Sequence, residues 1–304
     1  MFVWLKHLLM IKTGILGTSE TAQQFAEILK KSDKYELTGC CSPDYSKTKA
    51  FAAQFELVAY PTVEALFKYT DALIITDFSP DFISSSEKSL KNFKHILITN
   101  PFLAGIEEIG YLRKLSEESR VIFQIAGNFH YQSLLASQSI DASFFADLRH
   151  TFKEGSNICT GFKFMEFLLY DISLLLFLLK GAPKKISTAA WDMKGNNPDL
   201  MSARLELDNG HTANILLSQV EDVNSFSLSA YHKNGVSKYY LDTNIHDAGT
   251  LTKNAIEAEL KHFDASIEAP NLAQYQNETV FQALELVHSI KEKAVRFFTS
   301  NIQV

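Results

Sequence analysis

The chain has 304 residues, with 29 basic against 35 acidic side chains and a formal net charge of −6. Its 46% hydrophobic and 21% charged residues are ordinary globular usage, which excludes a disordered or collagen-like chain and suits two domains. The acidic balance leaves no excess positive charge to displace phosphate counterions, so nucleic acid is not expected as a main partner.

Residues Met1 to Met10 are apolar but broken by Lys6 and His7, and no small-residue cleavage site follows. Residues 1–9 read as an upstream extension or a short ordered lead-in rather than a secretory signal. From there, strand-like and helix-like runs alternate. Strands are expected at Lys12 to Leu16, Tyr35 to Cys41, Val58 to Tyr60, Ala72 to Thr76, His95 to Ile98 and Val121 to Ala126. Helices are expected between them, at Thr21 to Lys31, Ser46 to Phe55, Val63 to Lys68, Phe82 to Asn92 and Ile106 to Ser116. In the second helix Ala50, Phe51 and Ala53 form the expected inner side. Such alternation implies right-handed crossovers and a parallel sheet covered on both faces. Cys40 and Cys41 sit inside an apolar run and read as buried thiols; three cysteines cannot all pair, and a reducing cytoplasm is the simplest setting.

After about residue 125 the pattern changes. A long helix is predicted from Phe162 to Leu179, stopped by Gly181 and Pro183. Its apolar run contains Asp171 and is too short to span a bilayer, so no membrane partner is expected. Strand-like runs follow at Ile186 to Met193, Ser202 to Leu207, Thr212 to Ser218, Ser225 to Tyr231 and Lys238 to Leu241. Asp208-Asn209-Gly210 and Lys233-Asn234-Gly235 between them are hairpin signals. This half reads as an antiparallel sheet backed by helices, ending in a helix from Glu278.

The first strand runs into Gly17-Thr18-Ser19-Glu20-Thr21-Ala22 and then a helix. A dinucleotide turn wants glycine first for the tight bend, glycine again where backbone approaches the pyrophosphate, and glycine or alanine third for helix packing. Gly17 and Ala22 fit. Ser19 takes the middle place, and Glu20 puts negative charge at the helix N-terminus. The alternative is a Rossmann-like turn that no longer holds a dinucleotide. Ser42, after the second strand, stands where a ribose-reading group belongs, while Asp44 and Lys47 pull in opposite directions, so NAD and NADP both remain open.

Quoted in order, GILGTSETA, ELTGCCSPDYSKTKAFAAQF, TDALIITDFSP, KHILITNPFLAGIEEI, YDISLLLFLLKGAPKKIS, ELKHF and NETVFQALELVHSI resemble the Gfo/Idh/MocA family over essentially all of the chain after residue 10. The resemblance implies an α/β fold: an N-terminal Rossmann domain with a doubly wound parallel sheet over residues 10–124, and a C-terminal α+β domain with an open antiparallel sheet over 125–304. It also implies NAD(P)-linked oxidation or reduction of a CH–OH group in a sugar- or polyol-like small molecule, by a homodimer or homotetramer. Carried over residue by residue, Gly17, Thr18, Ser19, Ala22, Ser42, Thr76 and Pro101 would bind the cofactor.

The family's proton-handling positions are changed. Its E-K-P lysine falls on Asn100, and its helical D-x-x-x-H falls on Glu166 and Tyr170, which share one helical face. Where the family shows T-P and then histidine, Thr76 is followed by Asp77, and later by Asp81. Asparagine cannot titrate, and a phenol with pKa ~10 needs a nearby cation to ionise at neutral pH. Asn128 and His130, in the loop after the domain-linking strand, either contact substrate or are polar loop residues. His150, Lys153 and Lys163 are possible replacement bases, and His95 reads as structural. The remaining histidines have no metal-ligand spacing, so no metal site is expected. The expected catalytic set is Asn100, Glu166, Tyr170 and His130 in an oxidoreductase with atypical residues; the alternative is a catalytically inactive binding or partner protein on the same scaffold.

Overall fold

The computed structural model describes residues 10–77, 81–99, 101, 104–127, 143–153, 162–191, 199–242 and 253–301. Contacts divide the chain into two compact units: residues 1–130 with 251–277, and residues 131–250 with 278–304.

In the first unit the apolar runs become strands β1 (Ile11–Leu16), β2 (Tyr35–Cys41), β3 (Val58–Ala59), β4 (Ala72–Ile75), β5 (His95–Ile98) and β6 (Phe123–Ile125). Helices α1 (Glu20–Leu29), α2 (Tyr45–Phe55), α3 (Val63–Phe67), α4 (Phe82–Lys91) and α5 (Ile106–Ser119) connect them. The strand order is β3-β2-β1-β4-β5-β6, parallel at every pairing, which is the doubly wound order that reverses between β1 and β4. All four residues of β4 are buried, as a strand covered on both faces requires. α1 lays Ala22, Phe25, Ala26 and Leu29 on the sheet at helical spacing. α2 is turned differently from its sequence expectation: Thr48, Phe51, Ala52 and Phe55 face inward, while Ala50 and Ala53 are exposed. Cys40 and Cys41 are both buried in β2.

A later helix, α7 (Lys253–Glu268), completes this unit. The Tyr35 hydroxyl donates to the Leu260 carbonyl at 2.7 Å, and burial raises this phenol's pKa. Lys34 pairs with Glu268 at 2.9 Å and Asp264 at 3.4 Å. The buried Glu259 carboxylate accepts from Gln124 Nε2 at 3.0 Å and from the Gly127 amide at 2.7 Å. α7 thereby fixes the point where the chain leaves β6.

The second unit is built on β7 (Ser143–Lys153), α6 (Phe162–Leu179), β8 (Pro183–Trp191), β9 (Leu200–Leu207), β10 (Thr212–Glu221), β11 (Ser225–His232) and β12 (Gly235–Asp242). Helix α8 (Pro270–Asn301) contributes its residues from 278 onward. The sheet order is β12-β11-β7-β10-β9-β8. Four of its pairings are antiparallel, but β7 runs parallel to β10, so the sheet is mixed. Asn209-Gly210 and Lys233-Asn234 lie in the turns of the two expected hairpins, and Gly210 takes the positive φ of +81° that favours glycine. Along β7 to β11 the inner face is apolar, with Ala146, Leu148, Ala203, Leu205, Ile215, Leu217, Phe226 and Leu228 all buried. The other face carries Asp147, Arg149, Arg204, Asn214 and Ser227, the period-2 alternation of a sheet covered on one side.

Candidate functional site

The site grows from the reversal of strand order between β1 and β4, where two strand ends diverge and open a crevice. β1 ends at Leu16. The Gly17 amide donates to the Cys41 carbonyl at the end of β2 (2.9 Å), and the Thr76 amide donates to the Leu16 carbonyl (3.0 Å). These bonds hold the turn between its two neighbouring strands. Gly17 has φ +137°, and a Cβ there would lie 2.2 Å from Thr76 Oγ1 and 2.6 Å from the Asp77 carboxyl group. Only glycine fits that backbone and that space. Ala22 is fully buried, which supplies the small residue needed where α1 crosses the strand. The Ser19 hydroxyl accepts from the Ala22 amide at 3.4 Å and so serves as the N-cap of α1.

At the head of α1 the Asp77 carboxylate takes up the turn's amides. Its Oδ2 accepts from Thr18 N at 2.7 Å and from Ser19 N at 3.2 Å, with Oδ1 at 3.3 Å from Ser19 N. The Thr76 hydroxyl lies 3.1 Å from Asp77 Oδ1 and 3.3 Å from the Leu16 carbonyl oxygen. A carboxylate on two backbone N–H groups at a helix N-terminus is an anion in an anion's place.

Beside the turn lies a cavity of about 330 Å³, lined among others by Gly17, Ser42, Pro43, Asp77, Asp81 and Phe82. The Ser42 hydroxyl lies 2.8 Å from Thr48 Oγ1 and donates to the Asp44 carbonyl at 3.0 Å. Asp44 is the N-cap of α2, its Oδ1 accepting from the amides of Ser46 (2.9 Å) and Lys47 (3.1 Å). Two further wall residues, Glu64 and Lys88, are paired at 2.7 Å, and the ammonium holds the Glu64 carboxyl below the usual range.

The structure thus brings Gly17, Thr18, Ser19, Ala22, Ser42 and Thr76 together around one strand-end crevice. Pro101 is buried just after β5, beside Thr99, whose hydroxyl reaches the Thr76 carbonyl at 3.4 Å. Asn100, Asn128 and His130 lie outside the described residues. Glu166 is placed by its backbone on α6. Tyr170, on the same helix, is 2% exposed, with its ring edge-on to Phe167 at 6.5 Å. His150 is not a surface base: it is 1% exposed, its Nδ1 lies 3.1 Å from Asp171 Oδ2, and it stacks on Phe152 at 4.4 Å. Among the described residues, no group of three or more His, Cys, Asp or Glu could hold a metal ion, and no helix is long and apolar enough to cross a membrane.

The fit of a dinucleotide to this crevice is divided. The backbone of the Gly17 turn, the small Ala22 and the cavity at the end of β2 suit it. The amides that a diphosphate would use are held by Asp77, so the turn as folded does not accept a diphosphate until that carboxylate moves. Sequence reading notes Asp77 only as a departure after Thr76; its role shows once β4 is seen beside β1. Glu259 is missed altogether, since nothing local marks a glutamate in an amphipathic helix as a clamp on a distant glycine.

Residues 11–126 match the model of an oxidoreductase family with an NAD-binding Rossmann fold. A UDP-N-acetylglucosamine 3-dehydrogenase of Acidithiobacillus ferrooxidans is 23% identical over 219 residues, covering 69% of this chain and 67% of the relative. Its solved structure matches with a TM-score of 0.78 at 18% identity, over 95% of this chain and 99% of that one. A myo-inositol dehydrogenase from Corynebacterium glutamicum matches with a TM-score of 0.75 at 15% identity, over 95% and 97%. GenD2 from gentamicin A biosynthesis, solved in complex with NAD, matches with a TM-score of 0.76 at 10% identity, over 94% of each chain. These likenesses extend over both units. Residues 11–126 carry the NAD-binding Rossmann fold of the Gfo/Idh/MocA oxidoreductase family.

Proposed function

We propose that this protein is an NAD-dependent oxidoreductase acting on a CH–OH group of a sugar- or polyol-like small molecule, with nucleotide sugars the first class to try. The observation that carries this reading is the strand–Gly17–helix turn beside a cavity at the ends of β1, β2 and β4, within a family Rossmann fold. Gly17, Thr18 and Ser19 would face the diphosphate, Ser42 the adenosine ribose, and Thr76 and Pro101 the strand-end wall. The preference for NAD over NADP rests on charge. Glu64, Asp77 and Asp81 line the cavity against Lys88, and Lys88 is already paired with Glu64. Lys47, in the first turn of α2 after Ser42, lies 4.0 Å from Asp44. A 2′-phosphate dianion would meet net negative charge.

Asn100, Glu166, Tyr170 and His130 are the proposed surroundings of the reacting carbon. Asn100 can orient a hydroxyl but cannot take its proton, and the neutral Tyr170 phenol can only donate, so the proton would pass to the His130 imidazole. The open polar face of the second sheet is the proposed contact between copies in a homodimer or homotetramer.

The test is NADH and NADPH titration by calorimetry, followed by turnover with UDP-N-acetylglucosamine and myo-inositol. Binding of NADH in preference to NADPH, with turnover of one substrate class, is expected. No binding of either nucleotide at millimolar concentration, by the wild type and also by a variant with the Asp77 carboxylate removed, overturns the reading. A second reading, a cleft protein without catalysis, is favoured by Asp77 on the turn's amides and Asn100 at the lysine position. NADH binding with no turnover on any polyol or nucleotide sugar would select it.

A further inference from the structure

We infer that Asp77 is a built-in occupant of the diphosphate place, which any dinucleotide must displace, and that it sets how weakly this protein holds its cofactor. The inference rests on the dinucleotide reading proposed above. The two backbone N–H groups at the head of α1 face one carboxylate, at 2.7 Å from Thr18 and 3.2 Å from Ser19. The carboxylate is not a loose surface group that happens to pass by. The chain gives up a Cβ at residue 17 to let it in, since a side chain there would lie 2.6 Å from its carboxyl carbon and 2.2 Å from the Thr76 hydroxyl beside it.

A phosphate and this carboxylate want the same donors and carry the same sign, so they exclude each other. The carboxylate is tethered one residue beyond Thr76, whose own amide is bonded to Leu16, so its effective concentration at the turn is high. A free dinucleotide therefore competes against an intramolecular ligand. Its apparent affinity is reduced by the fraction of molecules in which Asp77 still sits on the turn. Swinging Asp77 away frees both amides and removes the negative charge from the diphosphate's path in one movement.

Asp77→Asn removes the charge and keeps an acceptor; Asp77→Ala removes the occupant. Calorimetric titration of NADH should show tighter binding in both, by about tenfold or more in Asp77→Ala and by less in Asp77→Asn. Inorganic pyrophosphate should raise the melting temperature of Asp77→Ala and leave that of the wild type unchanged. In a crystal of the wild type with NADH, the Asp77 carboxylate should have left Thr18 N. If both variants bind NADH as the wild type does or more weakly, Asp77 is only a cap of α1 and the inference falls, while the dinucleotide reading stands. The inference falls in the same way if the wild-type complex keeps the Asp77–Thr18 bond. If none of the three proteins binds NADH at millimolar concentration, the dinucleotide reading falls and takes the inference with it.

Discussion

The pair His150–Asp171 offers the sharpest energetic prediction. Both side chains are buried, at 1% and 0% exposure, and Nδ1 lies 3.1 Å from Oδ2. The imidazole is enclosed by Phe152 at 4.4 Å, Phe167 at 5.0 Å and Phe226 at 5.5 Å. Asp171 lies on α6 and His150 on β7, so the pair ties the long helix to the sheet. His150→Phe keeps a ring in the aromatic cluster but takes the imidazole from a buried carboxylate. Breaking such a pair costs about 3–5 kcal/mol. For a unit of roughly 150 residues, at about 2–4 °C per kcal/mol, the transition should fall by roughly 6–20 °C. Asp171→Leu keeps the branched shape and should cost a similar amount by stranding the imidazole. The double variant should recover most of the loss, because neither member of the pair is left buried without the other. Calorimetric melting of the four proteins gives the coupling energy. If the two losses simply add, within about 0.5 kcal/mol, the pair is not a coupled unit and the reasoning is refuted.

Four further outcomes are expected. Gly17→Ala forces a Cβ into the Thr76 and Asp77 side chains at φ +137°, and should destabilise the first unit by about 1–3 kcal/mol or more, measured by urea unfolding. Glu259→Ala removes the carboxylate that accepts from the Gly127 amide and from Gln124 Nε2; Gln124 keeps the Glu259 carbonyl at 3.3 Å, so the loss should be about 1–3 kcal/mol by the same measurement. Burial pushes the imidazoles of His95 and His288 below the ordinary value of about 6.5. The unfolded chain then binds protons at a higher pH than the folded one, so stability should fall as pH drops below about 6.5. The slope is at most about 1.4 kcal/mol per unit for each histidine, and His95→Gln should remove its share. Burial pushes the Cys40 thiol up to about 11, so a thiol reagent should label it at neutral pH only at the rate of unfolding.

The parts of the fold that announce themselves in the sequence do so through local pattern. The long helix α6 has both its ends legible, because an apolar run of helical length meets Gly181 and Pro183. β2 is legible end to end as a β-rich run between turn residues. β7 escapes notice although it alternates: its inward positions include His150, and its outward ones carry Asp147, Arg149 and Lys153, so it looks like a polar stretch. Its parallel pairing with β10 depends on which strands meet, and no window of sequence states that. The cofactor turn is legible as Gly17 and Ala22 in a strand–helix context. The occupant of that turn is not, because Asp77 reaches Thr18 only once β4 is laid beside β1. The same holds for Glu259, whose partners Gln124 and Gly127 are distant along the chain.

β7 lies between β11 and β10, two strands that follow each other directly in the chain yet never pair. A growing polypeptide makes β7 first and must then wait for β8, β9 and β10 to fold back as a meander before one flank of β7 is covered, and for β11 before the other is. Until then both edges of an eleven-residue strand carry unmet amides and carbonyls. Those open edges are where the nascent second unit is most prone to clump during synthesis, and its chaperone dependence should follow the length of the stretch between β7 and β10 rather than the stability of the finished sheet.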